Sequence, residues 1–107
     1  MRKVRYAVAQ VSDILPDVGR VVPLGPGGEC TLFYHGGKWS AVGSLCPHQN
    51  ASLDGAPAQG GYVTCRRHGY RFDLKSGDCV TLGGYGIPVF DVSIEADMVY
   101  VSVWEFD

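Results

Sequence analysis

Four side chains of this 107-residue sequence have the types and spacing to bind metal. Cys46-Pro47-His48 is followed, after sixteen residues, by Cys65-Arg66-Arg67-His68. Thiolate and imidazole are both metal ligands, and each half carries one of each. The short spacing lets both side chains of a half point from one tight loop into one site. Four such groups would saturate either a single zinc or a two-iron cluster. Common zinc modules set Cys beside Cys and His beside His, often with the histidines on a helix. Here both pairs are mixed. A mixed pair suits a rhomb of two irons and two sulfides, in which one iron takes two Cys and the other two His. Each loop then gives one ligand to each iron, and neither loop alone holds the cluster. The spacing favours iron–sulfur chemistry and leaves a zinc-stabilised binding module as an alternative.

Cys46-Pro-His-Gln-Asn-Ala-Ser-Leu53 and Cys65-Arg-Arg-His-Gly-Tyr-Arg-Phe-Asp73, followed by Ser76-Gly77, resemble the two cluster loops of Rieske proteins. The chain length and the strand pattern on either side are similar to those of a stand-alone Rieske ferredoxin. The resemblance implies an all-β fold, a Rieske-type antiparallel β-sandwich or small barrel, with a cluster-binding subdomain formed by the two loops. It implies a Rieske-type 2Fe-2S cluster, with Cys46 and Cys65 on the inner iron and His48 and His68 on the outer one. It implies electron transfer: single electrons pass from a flavin-dependent ferredoxin reductase to a terminal oxygenase of the aromatic-ring-hydroxylating dioxygenase type. An alternative is a small Rieske subunit of an enzyme complex such as assimilatory nitrite reductase. The chain would be a carrier and not itself an enzyme, because it has no room for a mononuclear iron domain with its own ligand triad.

Rieske proteins of cytochrome bc complexes are similar at the ligands but add a disulfide between the two loops. Ala51 and Arg67 lie in the corresponding regions here, so no such bridge forms. Those proteins also donate hydrogen bonds to sulfur from Ser and Tyr hydroxyls after the second His. The matching positions here are Tyr70 and Phe72. Fewer donors destabilise the electron-rich reduced cluster, which predicts a potential near the low end of the Rieske range, roughly −150 mV. Asn50 stands where Gly is common in these loops, and Arg66 where Pro is frequent.

The elements that must position these loops read as short strands separated by Gly, Pro and Asp. Val4, Tyr6 and Val8 alternate with Arg5, Ala7 and Ala9, the period of a half-buried strand. Strands follow at 20–24 and, as a hairpin around Gly36-Gly37, at 30–35 and 38–44. Tyr62–Thr64 feeds the second loop and Tyr70–Asp73 leaves it. Val89–Glu95 and Met98–Trp104 form a closing hairpin, with Phe90, Val92 and Ile94 on one face and Val99, Val101 and Val103 on one face. No segment holds a helical period, so one all-β domain over 1–107 is expected. Pro47 and Gly69 are expected to shape the loops and Arg66 and Arg67 to offer a local positive patch; the resemblance implies that the 83–88 loop covers the third side of the cluster, with a simple surface loop as the alternative. Cys30 and Cys79 read as buried thiols inside strands, with a disulfide between them left open. His35 reads as a surface residue, and Trp39 and Trp104 as packing in or near the core.

Bulk properties exclude several classes. Net charge is −2, so there is no general basic field for nucleic acid. No apolar run approaches the length of a membrane helix. Met1-Arg2-Lys3 is followed by Arg5 and Tyr6, not by an apolar stretch, and a cytoplasmic protein is expected.

Overall fold

Strands alternating in this way cannot bury a face alone, and the structure solves that with one curved sheet between two apolar cores. The computed structural model describes residues 1–47 and 50–106. Eleven strands appear among them: β1 Arg2–Gln10, β2 Arg20–Pro23, β3 Glu29–His35, β4 Lys38–Val42, β5 Leu45–Cys46, β6 Ala51–Ser52, β7 Ala58–Gln59, β8 Tyr62–Thr64, β9 Arg71–Asp73, β10 Val89–Glu95 and β11 Met98–Glu105. Six form the base sheet, in the order β1-β11-β10-β4-β3-β2. Its edge strands β1 and β2 come into contact, curling the sheet towards a barrel. All the ladders are antiparallel. The only helical element among the described residues is a 3-10 turn, Val11–Asp13. No helix of the described residues is long and apolar enough to cross a membrane.

The β1 alternation is as the sequence predicts, with one irregularity. The register with β11 shifts between Ala7 and Ala9, so Val8 and Ala9 both pack against the base core. On the outer face, Lys3 pairs with Asp91 and Arg5 with Glu95, and the Arg5 guanidinium lies 4.1 Å over the Tyr100 ring. These cross-strand pairs lace β1, β11 and β10 where no apolar packing is available.

β3 is the central element. Cys30, Thr31, Leu32 and Phe33 are all fully buried, so the strand is covered on both faces. Period two then divides its side chains. Cys30 and Leu32, with Ala41 of β4, belong to the base core with Val22, Val99 and Val101. Phe33, with Val42 of β4, belongs to the second core, which also holds Leu53, Val63, Phe72, Cys46 and Cys65. Thr31 shares the Phe33 face and donates its hydroxyl to the Gly43 carbonyl, 3.0 Å away. The two candidate loops are therefore seated on the outer face of the β3–β4 hairpin. The hairpin β5–β6 and the three-stranded sheet β7-β8-β9 carry them.

Several expectations need correction. The strands β5, β6 and β7 are additions to the expected set, and two residues each carry no periodicity from which to read them. Trp104 is 62% exposed, its ring approached by the Lys3 ammonium at 5.8 Å, whereas Trp39 does pack on the base core. Cys30 lies in a strand, but Cys79 lies outside the named strands, in a single bridge to Phe72. The two thiols sit in different cores, and none of the four cysteines is disulfide-bonded.

Candidate metal centre

The first loop leaves β4 through Gly43 and enters β5, where Cys46 pairs with Ala51 of β6. The hairpin closes through the Leu53 N–H, which donates to the Ser44 carbonyl at 2.9 Å. Asn50 takes φ 53°, a left-handed conformation that Asn tolerates better than most residues, which explains its place where a Gly is common. The second loop leaves β8 at Cys65 and returns into β9. The Cys65 N–H donates to the Tyr70 carbonyl and the Gly69 N–H to the Cys65 carbonyl, both at 2.8 Å. That tight return needs Gly69 at φ 74°.

Cys46 and Cys65 are both fully buried in the second core. His68 is partly exposed at the far side of its loop. Its ring lies 6.2 Å from that of Tyr70, which in turn lies 6.3 Å from that of Tyr85 in the loop after Cys79. His48, the fourth candidate, lies outside the described residues. Among the described residues no three His, Cys, Asp or Glu side chains converge as a metal-binding group.

The loops are tied to each other and to the base. Arg66 Nη2 donates to the Asp54 carbonyl at 3.2 Å, joining the second loop to the exit of the first. Asp54 Oδ1 accepts the Val21 N–H of β2 at 2.9 Å, and the Asp54 N–H donates to Ser52 Oγ at 3.1 Å. Arg66 is thus a link between the loops while it stays exposed, as Arg67 is. The 83–88 loop reaches the root of the site: the Gly43 N–H donates to the Pro88 carbonyl at 3.0 Å.

Sequence reasoning missed His35. Its side chain is only 17% exposed and joins the base to the three-stranded sheet. Nδ1 lies 2.7 Å from Asp17 Oδ1, and Nε2 accepts the Gly61 N–H at 2.9 Å. A single His beside a Gly-Gly turn carries no signal of this, because both partners are distant in the chain.

The donor set fits a [2Fe-2S] cluster. Two thiols withdrawn from water would compensate an inner metal as thiolates, and a partly exposed imidazole suits an outer one. When bound, such a cluster accepts and releases one electron at a time.

Comparison with known proteins agrees with this reading. Residues 4–89 match the Rieske [2Fe-2S] domain family. Apoptosis-inducing factor 3 of Homo sapiens is 35% identical over 99 residues, which cover 92% of this chain but 16% of that protein. The ferredoxin component of the alkene monooxygenase system of Xanthobacter autotrophicus is 27% identical over 75 residues, 69% of this chain and 62% of that protein. The chain thus spans less than two thirds of the length of either relative. Among solved structures, a Mycobacterium tuberculosis protein named for the small subunit of NADH-dependent nitrite reductase superposes with a TM-score of 0.85 at 20% identity, over 99% of this chain and 100% of that one. The structure of an oxidised ferredoxin with the reduced oxygenase of carbazole 1,9a-dioxygenase gives a TM-score of 0.80 at 25% identity, over 92% of both chains. Motif, two-core architecture and family match converge: the chain belongs to the Rieske [2Fe-2S] domain family, whose cofactor is a two-iron, two-sulfide cluster.

Proposed function

We propose that this chain is a one-electron carrier whose cluster is held by Cys46, His48, Cys65 and His68. Cys46 and Cys65 serve the inner iron as thiolates, and His48 and His68 the outer iron through one ring nitrogen each. The observation that carries the assignment is the gradient of exposure, from two fully buried thiols to a partly exposed His68. An electron carrier needs that gradient, because the redox group must be fixed by the protein on one side and approachable by a partner on the other. Exposed apolar side chains flank the same end: Leu45 beside Cys46, Val80 bonded through its N–H to Arg71 of β9, and Tyr85 against Tyr70. Scattered apolar contacts of this size suit a small, transient interface.

The carrier takes electrons from a flavin-dependent ferredoxin reductase and delivers them to a terminal oxygenase in the cytoplasm. The ferredoxin component of an alkene monooxygenase system and the ferredoxin found in complex with a dioxygenase support this direction. A second reading, a fixed small subunit of a nitrite reductase, is favoured by the full-length superposition on the Mycobacterium tuberculosis protein.

The test has two parts. Dithionite-reduced protein should give the EPR signal of a mixed-ligand two-iron cluster, with about two irons and two acid-labile sulfides per chain. Protein that holds zinc and no sulfide overturns the proposal. Purification from the native host then separates the two readings. A freely diffusing chain that a terminal oxygenase reoxidises supports the carrier, and a tightly co-purifying reductase subunit supports the alternative.

A further inference from the structure

We propose that His35 is a positioning residue, a clasp that seats the β7-β8-β9 sheet on the base and loosens it at Gly61 when the ring takes up a second proton. The Gly61 N–H can only donate, so Nε2, 2.9 Å away, must present a lone pair. A neutral imidazole then carries its one proton on Nδ1, which faces Asp17 Oδ1 at 2.7 Å. One tautomer satisfies both contacts and the other satisfies neither. Asp17 is held in turn: its N–H donates to the Tyr34 carbonyl at 3.0 Å, and its own carbonyl accepts the Ala58 N–H at 2.9 Å.

A second proton changes the two sides of the ring differently. The Asp17 contact becomes an ion pair and keeps the ring on the base. Nε2 becomes a donor that faces the Gly61 N–H, and two donors do not bond. The clasp therefore opens on one side only. Gly61 leads directly into β8, which ends one residue before Cys65, so loosening at Gly61 acts on the root of the second cysteine loop. Asp17 touches the ring, Lys38 stands across the hairpin register, and the groove that His35 lines also holds the titratable groups Tyr62, Asp73, Lys75 and Asp91. The clasp itself is a matter of protein geometry, and only its consequence at the cluster rests on the assignment of Cys65 as a ligand.

The test uses the oxidised holoprotein. Ring nitrogen-15 signals of His35 report its tautomer and titration, and amide exchange of Gly61, expressed as a protection factor, reports the clasp. The expected result is a proton on Nδ1 in the neutral form. The Gly61 protection factor should fall roughly five- to tenfold on acidification, with the midpoint of the His35 ring itself. In His35→Gln the amide offers an acceptor and a donor at every pH, so protection should persist and the pH response vanish. Iron release to a chelator should accelerate at the same midpoint in the wild type and not in the variant. A neutral ring protonated on Nε2, a Gly61 that ignores the ring's titration, or a response that survives in His35→Gln overturns the clasp. A responding Gly61 with a flat iron-release rate overturns the link to the cysteine loop. A protein without iron overturns the electron-carrier reading and leaves Gly61 to judge the clasp.

Discussion

Gly19 is where the base and the cluster-bearing subdomain close on each other, and Gly19→Ala tests that closure. Its N–H donates to the Ala56 carbonyl at 2.9 Å and its carbonyl accepts the Gly55 N–H at 2.8 Å, so the backbone there is pinned from both sides. A Cβ at this position would lie 2.7 Å from Phe33 Cζ, 2.9 Å from Phe33 Cε1 and 2.9 Å from the Leu53 carbonyl oxygen. Phe33 is fully buried in the second core and has nowhere to retreat, and the Leu53 oxygen belongs to the backbone that closes the first loop. Overpacking of this kind costs about 1–3 kcal/mol. The lower entropy of an unfolded Ala offsets about 0.4–1 kcal/mol of it. The difference is at most about 2.6 kcal/mol, and three contacts under 3.0 Å place it in the upper half, about 1.3–2.6 kcal/mol, a fall of roughly 6–12 °C in melting temperature for a domain of this size. Gly83→Ala is the control, because a Cβ there meets nothing within 4 Å and the residue does not have a positive φ. Melting followed by far-ultraviolet circular dichroism and by cluster absorbance should show Gly19→Ala well below the wild type and Gly83→Ala beside it. A Gly19→Ala protein that melts within about 2 °C of the wild type would refute this close packing.

Other expectations follow from particular contacts. Arg66→Ala removes the bond to the Asp54 carbonyl, and loss of the cluster to a chelator should quicken by roughly fivefold with little change in far-ultraviolet dichroism. His68→Cys, if His68 is a ligand, replaces a neutral imidazole with a thiolate and should lower the reduction potential by roughly 100 mV or more and flatten its alkaline pH dependence. Burial pushes the Cys30 thiol up to about 11. The folded state therefore favours the neutral thiol. That contribution to stability is complete below the ordinary thiol range and is lost as pH rises through about 11. Cys30 should accordingly resist alkylation at pH about 8, where thiols of the unfolded chain are partly ionised and react. Asp91→Asn breaks an exposed pair with Lys3 and should cost under about 1 kcal/mol by chemical denaturation, an effect that shrinks further in high salt.

The amino-acid sequence by itself determined the longer strands and the class of cofactor. Alternation in β1, β10 and β11 is local, and a C-x-H paired with a C-x-x-H is a local statement about which side chains can share a loop. Only the tertiary structure decided what those loops rest on. The run Cys30–Phe33 shows buried residues but not that successive ones serve different cores, because a strand covered on both faces loses its alternation. Arg66 has the same composition whether it is solvated or tied to Asp54, and Trp104 has the same sequence period whether its face is covered or bare. His35 is the sharpest case. Its partners Asp17 and Gly61 lie 18 and 26 residues away, and hydrogen bonds between segments that meet only on folding leave no trace in local periodicity.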